Sequence, residues 1–143
     1  MDIELKILIA LHRTINKIDK KTIKLANNSG LTFGQFMVLE ALYSKGDMSI
    51  GEVMDKILSS VGTISVIVNN LVKAGYVEKI PYVEDKRVTM LHLTDDGRGV
   101  IEKVIPENYE MIAESFSMLT EDEKESLLLI LKKIGGFYGK KSN

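Results

Sequence analysis

Thr63, Ser65, Val66 and Asn69 fall on one side of a helical pattern whose other side carries Ile64, Ile67, Val68 and Leu71 at i, i+3, i+4, i+7. The apolar set belongs in a core, which turns the polar set outward together with Gly62, Asn70 and Lys73. Small hydroxyls and amides on an exposed helix do no covalent chemistry. They exchange hydrogen bonds with base edges or phosphate oxygens, and a Val66 methyl suits the methyl of thymine. Immediately upstream, Ser59 or Ser60 can cap this helix and leave its first N–H groups for a phosphate, and Ser49 heads the preceding helix. Downstream, the turn Tyr82-Val83-Glu84-Asp85-Lys86-Arg87 sets two cations beside two carboxylates. An Asp85–Arg87 pair there would hold the guanidinium extended toward a groove.

The elements that must position these residues follow from periodicity and punctuation. Leu5, Leu8, Ile9, Leu11, Ile15, Ile18, Thr22 and Leu25 form the apolar stripe of a long first helix that stops near Asn27-Asn28-Ser29-Gly30. Thr32 is the expected N-cap of a second helix that stops at Lys45-Gly46. A short strand is expected at Asp47-Met48, then a short helix to Ile57, a Ser59-Ser60 break and the helix described above. Strands over Tyr76–Ile80 and Arg87–Leu93 flank the charged turn. A further helix begins at Thr94-Asp95-Asp96, its acids favourable to the helix dipole, and a last one follows Thr120 with Glu123 in the capping-box position.

This order is the grammar of a winged helix-turn-helix, whose second helix has the width of the DNA major groove. The fold class expected is mainly α with a small β-hairpin wing. Residues 31–97 form the DNA-binding lobe, flanked by an N-terminal helix (1–30) and C-terminal helices (98–143) that serve dimerisation. The run Leu127-Leu128-Leu129-Ile130-Leu131 is apolar nearly all round and calls for cover from a second subunit.

Composition sets the outer bounds. The 143 residues, 45% of them hydrophobic, suit one domain with helical extensions. There are no cysteines, which excludes disulfides and thiolate chemistry. No apolar run reaches bilayer length and the N-terminus lacks a signal-peptide core, so a cytoplasmic chain with no membrane partner is expected. The formal charge of -1 argues weakly against nucleic acid, but it is unevenly spread. Residues 1–27 hold six bases against three acids, whereas ten acids face seven bases from Thr94 onward. His12 and His92 stand in no metal-ligand spacing, no metal or cofactor is expected, and no nucleophile elbow, phosphate loop or catalytic carboxylate pair appears. An enzyme is therefore not expected. Two other classes stay open: a degenerate winged helix that binds a protein, and a small enzyme or metal protein organised around the two histidines.

Leu31-Thr32, Gly75-Tyr76-Val77-Glu78-Lys79, Asp85-Lys86-Arg87 and Leu93-Thr94-Asp95-Asp96-Gly97, in that order, resemble the MarR family of multiple antibiotic resistance regulators. The resemblance covers essentially the whole chain. It implies a homodimeric transcription factor, usually a repressor, that reads a palindromic double-stranded DNA operator and is released by a small phenolic or otherwise amphipathic anion. By position it implies DNA contacts from Ser59, Ser60, Thr63 and Ser65, and from Arg87 oriented by Asp85 with Lys86 beside it. It also implies a ligand pocket that His12, Phe33, Phe36, Met37 and Tyr43 would line. The chain departs from the family pattern at Val66, Asn69-Asn70 and Val72, where larger, charged or acidic residues are common.

Overall fold

The computed structural model describes residues 2–57, 59 and 61–136. Its elements run α1 (Ile3–Asn28), α2 (Phe33–Lys45), β1 (Met48–Ser49), α3 (Ile50–Lys56), α4 (Val61–Lys73), β2 (Val77–Pro81), β3 (Thr89–Leu93), α5 (Asp95–Ser115) and α6 (Glu121–Gly135). The chain divides into two compact units, Met1–Tyr109 and Glu110–Asn143.

Among the described residues, three helix starts carry a reciprocal cap. Thr32, Ser49 and Thr120 each accept the backbone N–H three residues on, while Gln35, Glu52 and Glu123 reach back to the cap's own N–H. Each box satisfies two donors that a helix start leaves unpaired. The strands form one antiparallel sheet in the order β1-β3-β2, with Met48 opposite Leu91 and Val77 opposite Leu93. Pro81 closes β2, an edge strand, where its missing N–H costs no ladder bond.

The core of the first unit gathers Val38, Leu39 and Leu42 of α2, Val53 of α3, Ile64, Val68 and Leu71 of α4, Leu91 of β3 and Ile101 of α5, all essentially inaccessible. Ile67 is half-buried at its edge. Only the C-terminal part of α1 joins this core, through Thr22, Leu25 and Ala26, whereas Leu5, Leu8 and Ile15 of the same stripe remain about half exposed. The Thr22 hydroxyl donates to Asn108 Oδ1 at 2.8 Å, and both residues are buried, so α1 is registered against α5 by one polar contact. Removing the donor strands a buried carbonyl. Thr22→Val should lower the unfolding free energy in urea by about 1–3 kcal/mol, with little change in far-ultraviolet circular dichroism at low denaturant.

All three strands differ in their bounds from the sequence expectation; β2 runs Val77–Pro81 rather than Tyr76–Ile80, with Val77 paired to Leu93 and Pro81 to Thr89. β1 lies one residue later, at Met48–Ser49, because those residues pair with Leu91 and Met90. β3 begins at Thr89 rather than Arg87 because the Arg87 N–H is taken by the Asp85 side chain and the Val88 N–H by the Asp85 carbonyl. Those bonds form a turn, which removes both donors from the ladder.

Candidate nucleic-acid interface

Packing of α4 on α2 and β2 through Ile64, Val68 and Leu71 leaves Gly62, Thr63, Ser65, Val66, Asn69 and Asn70 exposed along its outer side. Val66 is 61% exposed, so its methyl groups are accessible to another surface. Ser49 spends its acceptor on the Glu52 N–H at 3.1 Å as the cap of α3, which leaves its hydroxyl proton to donate. Ser59 is half-buried in the connection to α4, and Ser60 lies outside the described residues.

The wing tip is built by its own side chains. Asp85 accepts from Arg87 Nε at 3.1 Å, from Arg87 Nη2 at 3.2 Å and from the Arg87 backbone N–H at 3.1 Å. This is a two-pronged pair in a planar geometry that lysine cannot make. Arg87 is nonetheless 90% exposed, so the guanidinium is aimed without being sequestered. The hydrogen bonds from the Arg87 side chain and then its backbone hold the Asp85 carboxyl below the ordinary aspartate range. Tyr82 donates to Glu84 at 2.6 Å on the same turn, and that bond raises the phenol above its usual range. Lys86 is exposed beside them.

Sequence reasoning did not place Lys79 in this region. Its Nζ donates to Asn69 Oδ1 at 3.0 Å, which brings a cation from β2 onto the outer side of α4, a helix whose own outer face holds only Lys73. Strand alternation puts Lys79 on the same face of β2 as the buried Val77, so only its charge marks it as exposed, and nothing local reveals which helix residue stands next to it.

The interlock behind the wing accounts for the Gly75 and Leu93–Gly97 motifs. Gly75 sits at φ +80°, a left-handed conformation natural to glycine, as the chain leaves α4. The Thr94 hydroxyl donates to the Gly75 carbonyl at 2.6 Å and accepts the Gly97 N–H at 3.1 Å, while the Thr94 N–H donates to the Tyr76 carbonyl at 3.1 Å. Thr94 thus caps α5 and fastens it to the α4–β2 turn. One turn on, Arg98 stacks 5.3 Å from the centre of the Tyr43 ring, tying α5 to α2.

Known proteins resemble this arrangement along nearly the whole chain. The regulator MhqR of Bacillus subtilis, an HTH-type transcriptional regulator, is 34% identical over 131 residues, which are 92% of this chain and 90% of MhqR. The MarR family profile matches residues 29–88, from the end of α1 through the wing tip. The chain belongs to the MarR family. A MarR variant of Escherichia coli solved with operator DNA is 27% identical, spans 94% of this chain and 99% of that one, and has a TM-score of 0.71. BpsR of Bordetella bronchiseptica shares the fold at 23% identity, with a TM-score of 0.80 over 91% of this chain and 98% of its own. This MarR-family chain is accordingly a DNA-binding transcriptional regulator, of a kind whose relatives act by binding rather than by catalysis.

The expected ligand-pocket residues differ in burial. Phe36 is buried at 5% exposure in the core, Met37 and Tyr43 pack against that core, Phe33 is half-buried at the start of α2, and His12 is exposed on α1. His92 Nδ1 lies 2.8 Å from Asp47 Oδ1, a tie between β3 and the approach to β1. Among the described residues no three His, Asp or Glu side chains group as metal ligands, and no helix is long and apolar enough to cross a membrane.

Proposed function

We propose that this chain acts as a homodimeric repressor that reads a palindromic operator with α4 in the major groove and Arg87 in the adjacent minor groove. The exposed guanidinium held by Asp85 carries this reading, because a narrow minor groove concentrates negative potential and favours an extended arginine. Thr63, Ser65, Val66 and Asn69 supply base and backbone contacts, with Ser49, Ser59, Ser60 and Lys86 serving phosphates.

Exposed apolar residues support the dimer. Ile3, Leu5, Ile7, Leu8 and Ile15 on α1 and Leu128, Leu129, Ile130 and Ile134 on α6 are between 47% and 66% exposed in the single chain. Apolar area on that scale is covered in solution by a second copy. Residues 1–30 and 98–143 then act as the dimerisation segments around a DNA-binding lobe at 31–97. Two copies must hold their recognition helices one turn of B-DNA apart, about 34 Å. A ligand changes affinity by preferring a different spacing. Preference of about 100-fold removes roughly 2.7 kcal/mol of operator affinity.

BpsR is described as regulated in its DNA binding by 6-hydroxynicotinic acid, an aromatic anion. By analogy the effector is a small phenolic or anionic aromatic, bound near His12, Phe33, Phe36, Met37 and Tyr43. Selection of bound fragments from the source genome tests the DNA reading, and titration of phenolic acids into the resulting complex tests the effector. Recovery of no palindrome overturns the first. A complex indifferent to every acid overturns the second.

Arg87→Ala should weaken operator binding by about 1–3 kcal/mol in fluorescence anisotropy at moderate salt and leave the sedimentation coefficient unchanged. Unchanged affinity would remove Arg87 from the interface.

A further inference from the structure

Lys79 and Asn69 meet on the outer side of α4 although they come from different elements. Lysine has no acceptor, so a contact of its ammonium with an asparagine amide at 3.0 Å fixes the amide orientation: Oδ1 faces Lys79 and Nδ2 faces away. The consequence is chemical. A free asparagine offers one acceptor and one donor to a base edge, the match for adenine N7 and N6. Here the ammonium takes one lone pair of Oδ1 and competes for that oxygen, while the Asn69 amino group and the N–H groups of Lys79 that Asn69 does not use remain as donors. Both residues are exposed, so this surface is available to a ligand, and it is dominated by donors.

Each base pair answers such a surface differently. Guanine presents two acceptors, O6 and N7, in the major groove. Adenine presents N7 beside an amino donor that would confront another donor, cytosine presents a donor, and thymine a single acceptor beside a methyl group. We propose that Lys79 and Asn69 act as one composite reader that selects guanine at one position in each operator half-site. Within that pair Lys79 donates to guanine directly and also turns Asn69 from an adenine-type to a guanine-type contact. This rests on α4 being the recognition helix of a DNA-binding regulator. It also supplies the guanine contact that α4 lacks through its own shortage of cations.

The test is a comparison of base preference among the wild-type chain, Lys79→Met and Asn69→Ala, using a randomised duplex library followed by anisotropy on the selected site and its single-base variants. Lys79→Met keeps the length of the side chain and removes the charge, and both positions are exposed, so melting temperatures should match the wild type. The wild type should prefer guanine over adenine by about 10-fold or more at one symmetry-related pair of positions. Lys79→Met should lose or reverse that preference in favour of adenine, with the other positions unchanged, and Asn69→Ala should flatten discrimination there. If Lys79→Met instead weakens all sequences equally, with a shallower salt dependence, Lys79 binds a phosphate and the proposal fails. It also fails if both variants keep the wild-type preference. Wild-type protein that binds no duplex at low salt would remove the underlying reading along with it.

Discussion

Leu128→Asp should convert the protein to a monomer and abolish operator binding at concentrations where the wild type is saturated. Leu128 is 55% exposed in the middle of α6, between Leu129 and the half-buried Leu127, and α6 has no buried residue of its own. This exposure does not reflect a poorly specified helix. Its start carries the Thr120–Glu123 capping box and three acids in the first turn, and its end carries Lys132, Lys133 and a left-handed Gly136. So well-defined an apolar surface calls for a partner surface. A carboxylate placed within it must be desolvated or protonated, at several kcal/mol, and two-fold symmetry imposes that cost twice. Loss of the dimer removes the linkage between half-sites, which raises the apparent dissociation constant by about 10²–10⁴-fold without any change in the reading residues. Sedimentation velocity alongside anisotropy separates the two effects. A mutant that stays dimeric on DNA would move the interface away from this part of α6.

What could be read from the chain alone has a common physical character: it is local. The caps at Thr32, Ser49 and Thr120 rest on pairs three residues apart, and the buried stripe of α4 rests on i, i+3, i+4 repetition. The Asp85–Arg87 pair spans two residues and was foreseen for the same reason. The contacts that escaped notice are between distant residues. Thr22 meets Asn108 across 86 positions, and Asp47 meets His92 across 45. Lys79 reaches Asn69 across only ten, but a helix end and a left-handed glycine intervene, so no periodicity connects them. Thr22 was read as a member of an apolar stripe; its position in that stripe is right, and its hydroxyl serves a buried hydrogen bond. Phe36 shows the converse difficulty. An aromatic on a helix fits core and ligand pocket equally well in sequence, and its 5% exposure in the structure is compatible with both.

Gly97→Ala should be among the most damaging single-methyl additions in this protein, whereas Gly99→Ala, two residues on in the same helix, should be harmless. A Cβ at Gly97 would overlap the Tyr76 carbonyl oxygen and come within 2.9 Å of Leu93 Cδ1. The obstacle is backbone rather than the end of a flexible side chain. That carbonyl is also held in place, since it accepts the Thr94 N–H at 3.1 Å while Thr94 itself bonds the Gly75 carbonyl. Relief requires α5 to lift away from the turn that joins α4 to β2, which stretches the Thr94 bonds and loosens the packing behind the wing. Overpacking of this kind costs about 1–3 kcal/mol, with more where hydrogen bonds are lost. A Cβ at Gly99 meets nothing within 4 Å, and there the better helix propensity of alanine should add about 0.5–1 kcal/mol. Urea unfolding of the two variants therefore should give shifts of opposite sign. Because the distorted turn also sets the angle between α4 and the hairpin, Gly97→Ala should lose operator affinity even under conditions where it remains folded. Equal stability of the two variants would mean that α5 can slide on the turn, and that the close approach at Tyr76 does not position the wing.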